Sequence, residues 1–234
     1  MLQYKLYVAE NKKRLAQKLA KKVAEQLSIG ITNKGTASIA LSGGLTPRFF
    51  LEELSIINVD WHKVVVTLVD ERFVPLENLR SNQSFISKFF LQNKAQKASF
   101  IPLYYPQKTI EEAIRIANEK ICQLIHFPFD VVVLGMGIDG HTASFFPKGD
   151  TLSIALDTHT PRSVIAIKDY TSNEQRMTMT FSALHDAQFL ALHIEGTQKK
   201  HVLEKAISGD DALEMPIRAI LWNAQSPLEV HWTS

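Results

Sequence analysis

Apolar and polar positions follow two rhythms along the chain. Short, nearly unbroken apolar runs occur at Ser38 to Leu41, Val64 to Val69, Val131 to Leu134, Val164 to Ile167 and Phe189 to Ile194. Their brevity, branched residues and lack of alternation predict strands buried on both faces. Val8 with the residues before it, and Leu228 to Trp232, are read as outer strands. The second alternates apolar and polar, as a half-exposed strand does. Elsewhere the rhythm is helical. Leu15, Leu19, Val23 and Leu27 recur every fourth residue, with Lys12, Lys13, Arg14, Lys18, Lys21 and Lys22 on the other faces. Further helices are predicted near 47–54, 82–91, 109–125, 174–184 and 197–207.

Strand–helix alternation predicts an α/β protein with a mainly parallel sheet and helices on both faces. No repeat, low-complexity stretch or Pro/Ser/Gly-rich linker divides the chain, so residues 1–234 are read as one domain. Ligands of such sheets bind beyond the C-terminal ends of the strands. The loops that follow the strands are therefore where chemistry is expected.

Charge and cysteine content narrow the options. Lys and Arg total 26 against 24 Asp and Glu, a net charge of +2, which is no footprint for nucleic acid or membrane. The basic face of the first helix reads as solvated, because Glu10 and Glu25 flank it and no aromatic residue interleaves. One cysteine, Cys122, excludes an intrachain disulfide and any Cys-rich metal site, and is read as a helix-packing residue. No apolar run approaches the roughly 18 residues of a membrane span. The N-terminus lacks a basic segment ahead of a long apolar core. A soluble, cytoplasmic protein is expected.

Three loops carry candidate chemistry. Ser42-Gly43-Gly44-Leu45-Thr46-Pro47 follows the first buried strand. Its glycines allow a sharp turn close to a ligand, with Thr46 expected as an N-cap and Pro47 at the first helical position. Such a turn into a helix N-terminus attracts anions, or is simply a capped turn. It matches neither the Walker loop, the dinucleotide fingerprint nor the G-x-S-x-G elbow. Asp70-Glu71-Arg72 immediately follows the second run. Arg72 suits a phosphate or carboxylate, Asp70 a sugar hydroxyl or a proton, and the bland reading is a strand-end ion pair. Glu71 is left open between a ligand contact and a brace for Arg72. Arg80-Ser81-Asn82 then starts a helix, with Ser81 as its cap.

The third loop, Gly135 to Pro147, is the most informative. Three glycines alternate across six positions, and Asp139 and His141 bracket the third, Gly140. A carboxylate beside an imidazole fixes its tautomer and raises its basicity, the arrangement of a general base. No other histidine forms H-x-x-x-H or a Cys/His pair with His141, so no metal is expected. Arg176, and Lys199 in the turn Gly196-Thr197-Gln198-Lys199-Lys200, are further candidate anion contacts.

On Ser42 to Pro47, Asp70 to Arg72 with Ser81-Asn82, Gly135 to Pro147, Arg176 and Gly196-x-x-Lys199, the chain resembles the glucosamine-6-phosphate isomerase/6-phosphogluconolactonase family. The motifs stand in family order and span most of the chain. The resemblance implies a Rossmann-like fold, no cofactor, and hydrolysis of 6-phospho-D-glucono-1,5-lactone. It implies that His141 activates water with Asp139 beside it. Arg72 and Lys199 would bind phosphate, helped by Ser42, Gly43, Gly44 and Thr46, with Asp70 and Arg176 lining the site. The family's isomerases carry a glutamate five residues after the histidine; here that position is Phe146. The lactonase activity is therefore expected, with the sugar phosphate as the one partner, no nucleic acid or membrane, and a monomer as the expected state. The rival reading is a sugar-phosphate sensor, and salt-dependent DNA binding separates the two.

Overall fold

The computed structural model describes residues 4–169 and 174–234. The first half of the chain forms β1 (Tyr4–Val8), α1 (Lys12–Lys34), β2 (Ala37–Leu41), α2 (Arg48–Ile56), β3 (Val64–Leu68), β4 (Asp70–Arg72), α3 (Asn82–Phe89), β5 (Ser99–Phe100) and α4 (Ile110–Leu124). The second half forms β6 (Val131–Leu134), α5 (Leu152–Leu156), β7 (Val164–Asp169), β8 (Glu174–Met179) and α6 (Phe181–Leu184). It closes with β9 (Phe189–Glu195), α7 (Thr197–Ile207), α8 (Ile217–Asn223) and β10 (Leu228–Thr233).

Seven strands make one sheet in the order β1-β10-β9-β6-β2-β3-β5, and every neighbouring pair is parallel. Every residue of β2 and β6 is buried. That explains their unalternated apolar sequences: a central parallel strand faces helices on both sides. α1 lays Leu15, Leu19, Val23 and Leu27 into the core. The Asn11 side chain accepts the Arg14 N–H at its start, and Gly35, at φ 81°, closes its end. No helix among the described residues is long and apolar enough to cross a membrane.

A second sheet, β4-β8-β7, is antiparallel. It corrects two expectations. Residues 174–184 are a strand and a single helical turn, not a helix. Met177 and Met179 are fully buried, and β8 bonds to β4 on one side and β7 on the other. Two ladders satisfy its backbone better than one turn of helix would. Val164 to Ile167 is a strand, but of this smaller sheet, with Ile165 and Ala166 only half-buried.

Two further expectations change. Leu228 to Trp232 is not outermost, because β1 pairs beyond it, and His231 is consequently buried. Cys122 is exposed on α4, whose packed face is Ile110, Ala113, Ala117 and Ile121. Residues 1–3 of the expected first strand lie outside the described residues.

Because the large sheet is parallel, the loops after β2, β3, β6 and β9 emerge at one edge. β4 leaves that edge directly: the Val69 N–H still bonds to Leu41 O at 3.0 Å, and the next residue already belongs to the second sheet. Asp70, Glu71 and Arg72 thus stand at the joint between the sheets.

Candidate active site

A cavity of about 280 Å³ opens at this edge. Ser42, Gly43, Gly44, Thr46, Asp70, Arg72, His141, Arg176 and Lys199 all line it. Asp139 does not line it but holds His141 from behind. Residues separated by up to 157 positions in sequence therefore meet in one concave site.

The loop after β6 is folded around the histidine. Gly137 N–H donates to His141 O at 2.9 Å, and Gly140 turns the chain at φ 81°. A Cβ on Gly137 would lie 2.2 Å from His141 Nδ1, so only glycine lets the imidazole sit there. Asp139 Oδ1 receives both the His141 backbone N–H at 3.1 Å and ring Nδ1 at 2.6 Å. Burial pushes the Asp139 carboxyl up, but its hydrogen bonds and the His141 charge outweigh this, and it titrates below its ordinary value. With Nδ1 taken by the carboxylate, Nε2 is left as the basic nitrogen. The Phe146 ring lies tilted against the imidazole, 4.9 Å between centroids.

Asp70 is buried and accepts the Ser144 hydroxyl at 2.6 Å, with Asn82 Nδ2 at 3.4 Å and Arg176 Nη1 at 3.9 Å. Arg176 is also buried; it pairs with Glu174 at 3.1 Å, and its guanidinium lies 5.0 Å from the Phe146 ring centroid. It reaches the cavity from a strand, not from the helix expected around it. Arg72 Nη1 donates to Asn82 Oδ1 at 2.6 Å and to Arg80 O at 2.8 Å.

The opposite wall carries Lys199, in the first turn of α7, with Nζ 3.5 Å from Thr46 Oγ1. Burial lowers the Lys199 pKa, and Glu195 partly offsets this. Thr46 is not the cap expected of it. α2 begins at Arg48 with Pro47 in the N-cap position, and the Thr46 hydroxyl turns to Lys199 instead. Ser42 Oγ accepts the Gly135 N–H at 3.0 Å, tying the first loop to the third.

Glu71 makes no contact with the Arg72 guanidinium; its bonds go to backbone N–H groups and to Ser81. Ser81 caps α3 as expected, accepting the Ser84 N–H at 3.1 Å. Asn82, Ser144 and Phe146 belong to the site without having been assigned a role from the residues. For Asn82 the signal was present: a polar residue starting a helix at a strand mouth. Ser144 gave none, because its partner Asp70 lies 74 residues away; Phe146, five residues from His141, was marked only through the family resemblance. Among the described residues no group of three or more His, Cys, Asp or Glu side chains could hold a metal.

The sequence profile described as glucosamine-6-phosphate isomerases/6-phosphogluconolactonase matches residues 10–232. A 6-phosphogluconolactonase of Rhizobium meliloti (strain 1021) is 51% identical over 227 residues, covering 97% of each chain. One from Pseudomonas putida is 41% identical over 228 residues, covering 97% of this chain and 92% of its own. Among solved structures, a 6-phosphogluconolactonase from Shewanella baltica OS155 superposes with a TM-score of 0.94 at 36% identity, covering 99% of this chain and 98% of that one.

Proposed function

The chain belongs to the glucosamine-6-phosphate isomerase/6-phosphogluconolactonase family, and from that membership we propose that it hydrolyses 6-phospho-D-glucono-1,5-lactone, with His141 activating the water. The product is 6-phosphogluconate, and the step is the second of the oxidative pentose phosphate pathway. The observation that carries the reading is the 2.6 Å Asp139–His141 pair at the mouth of a cavity lined by Arg72, Arg176 and Lys199.

In this reading His141 Nε2 takes a proton from water as the water oxygen bonds to the lactone carbonyl carbon. Asp139 stabilises the imidazolium that forms. The tetrahedral intermediate collapses with cleavage of the carbon–ring-oxygen bond. The imidazolium returns its proton to the departing ring oxygen, which becomes a hydroxyl, and the carboxyl group ionises. A lactone carbonyl is already electrophilic, so a positioned water, a base and nearby positive charge are enough. Arg72 and Lys199, with the Ser42 to Thr46 turn, hold the phosphate, whose binding energy positions the distant carbonyl.

Phe146 favours hydrolysis over the isomerase chemistry of the family. The isomerases' partner glutamate would stand where this ring packs on His141 at 4.9 Å. The test assays both substrates. Hydrolysis of the lactone above its spontaneous rate, without ammonia release from glucosamine 6-phosphate, is expected; the reverse pattern overturns the reading.

A further inference from the structure

Glu71 carries a charge that the proposed chemistry does not use. It is fully buried at 0% exposure, and burial pushes its carboxyl up against three backbone N–H bonds that pull it down. A buried carboxylate is costly unless its oxygens are satisfied. Here both are. Oε1 accepts the N–H of Arg72 at 2.7 Å and of Asn82 at 2.8 Å. Oε2 accepts the N–H of Gln83 at 2.7 Å and the Ser81 hydroxyl at 3.2 Å. These bonds join the end of β4 to the first turn of α3, so they close the excursion between them.

The connection continues into the cavity through Asn82. Its Oδ1 accepts from Arg72 Nη1 at 2.6 Å, and its Nδ2 donates to Asp70 O at 2.9 Å. The side chain is packed tightly: a Cβ on Gly43 would lie 2.0 Å from Asn82 Oδ1.

On the reading of this cavity as the sugar-phosphate site, we infer that Glu71 is a positioning residue for substrate binding. It holds Asn82, and through Asn82 the Arg72 guanidinium, at the angle that meets the anionic end of the ligand. Glutamine cannot take its place, because an amide nitrogen would point its hydrogens at N–H donors. Aspartate keeps the charge but falls one carbon short.

Asp130 supplies the control. It too is buried and accepts a backbone N–H, from Ser38 at 2.8 Å, while pairing with Lys34 at 2.9 Å. It stands at the opposite strand ends, ahead of β6, and does not line the cavity.

The experiment compares Glu71→Gln, Asp130→Asn, Arg72→Ala and the Glu71→Gln/Arg72→Ala double variant. It reads Tm, KM and kcat for the lactone, and Kd for inorganic phosphate. Both carboxylate variants should lower Tm. Only Glu71→Gln should raise KM and Kd, by about tenfold with kcat within about twofold, the fold-change of one charge-assisted hydrogen bond. In the Arg72→Ala background it should add no further rise, since contacts acting through one another are not additive. If Glu71→Gln does not fold, Glu71→Asp carries the same comparison. The inference is overturned if KM follows Tm equally in both carboxylate variants, if kcat falls instead, or if the effects of Glu71 and Arg72 simply add. Failure of Arg72→Ala itself to change KM or Kd would overturn the phosphate reading of Arg72 instead, a separable outcome.

Discussion

Arg72 and Arg176 stand directly opposite each other across the antiparallel β4–β8 pair, so two guanidinium groups leave one face of the small sheet together. Like charges in that position repel. Arg72 instead bonds to Asn82 Oδ1, while Arg176 pairs with Glu174 and approaches Asp70. An anion entering between them would gain from both cations. Arg72→Ala should therefore raise KM without a matching fall in kcat. A lost charge-assisted bond of about 1.5–3 kcal/mol corresponds to roughly ten- to hundredfold. Steady-state kinetics with the lactone checks this, and a fall in kcat alone would move Arg72 away from ligand binding.

Asp139 should matter for turnover more than for affinity. Asp139→Ala leaves the imidazole without its 2.6 Å partner, and kcat should fall at least about a hundredfold with KM little changed. The same residue has a signature in stability. Its folded pKa lies below the ordinary 3.8, so the ionised carboxylate stabilises the fold above about pH 4, and that contribution is lost as pH falls through the lowered value. The Tm deficit of the variant should be full at pH 7 and shrink below pH 4. A deficit that stays constant with pH would contradict a stabilising Asp139 carboxylate.

Burial of Lys199 predicts an early alkaline loss of anion binding. Its ammonium deprotonates below the ordinary 10.5, so affinity for 6-phosphogluconate should weaken at lower pH than a solvated lysine would allow. Titration of Kd from pH 8 to 11 measures it. Lys199→Met should bind weakly at every pH, with a flat profile; identical profiles for the two proteins would remove Lys199 from the site.

His231 makes the fold acid-sensitive. Burial, then His193 and Lys22, hold its pKa down at about 4 from 6.5, with Tyr7 stacked on the ring at 5.0 Å and Glu229 at 3.3 Å. Above pH 6.5 both folded and unfolded forms are neutral. Between 6.5 and about 4 only the unfolded chain gains the proton, so stability falls across that window, by on the order of 3 kcal/mol in full. Thermal melts from pH 7.5 to 4 should show this slope, and His231→Gln should flatten it. An unchanged slope in the variant would assign the acid loss to other groups.

The centre of the large sheet was legible because its chemistry is local; the two-residue edge strand β5 was not. β2, β3, β6 and β9 are short branched runs, and a strand covered on both faces has little choice but to be apolar along its whole length. The glycines and polar residues just after them were legible for the same reason. The second sheet was not. β4 is three residues of charge, and β8 mixes Arg, Met and Thr in a pattern read as helical. What makes them strands is pairing with each other, across more than a hundred residues of chain.

The sequence by itself determined the parallel α/β core, the glycine turns at its strand mouths, and the Asp139–His141 spacing, whose two residues are near neighbours in any fold. Only the tertiary structure decided which cations share a pocket. It set Arg72 against Arg176, brought Lys199 to Thr46, and turned Glu71 away from the cavity to bind the start of α3. Those relations depend on where parallel strands and a crossing antiparallel pair end in space. Burial and hydrogen-bond partners arise from that arrangement, and no residue carries them alone.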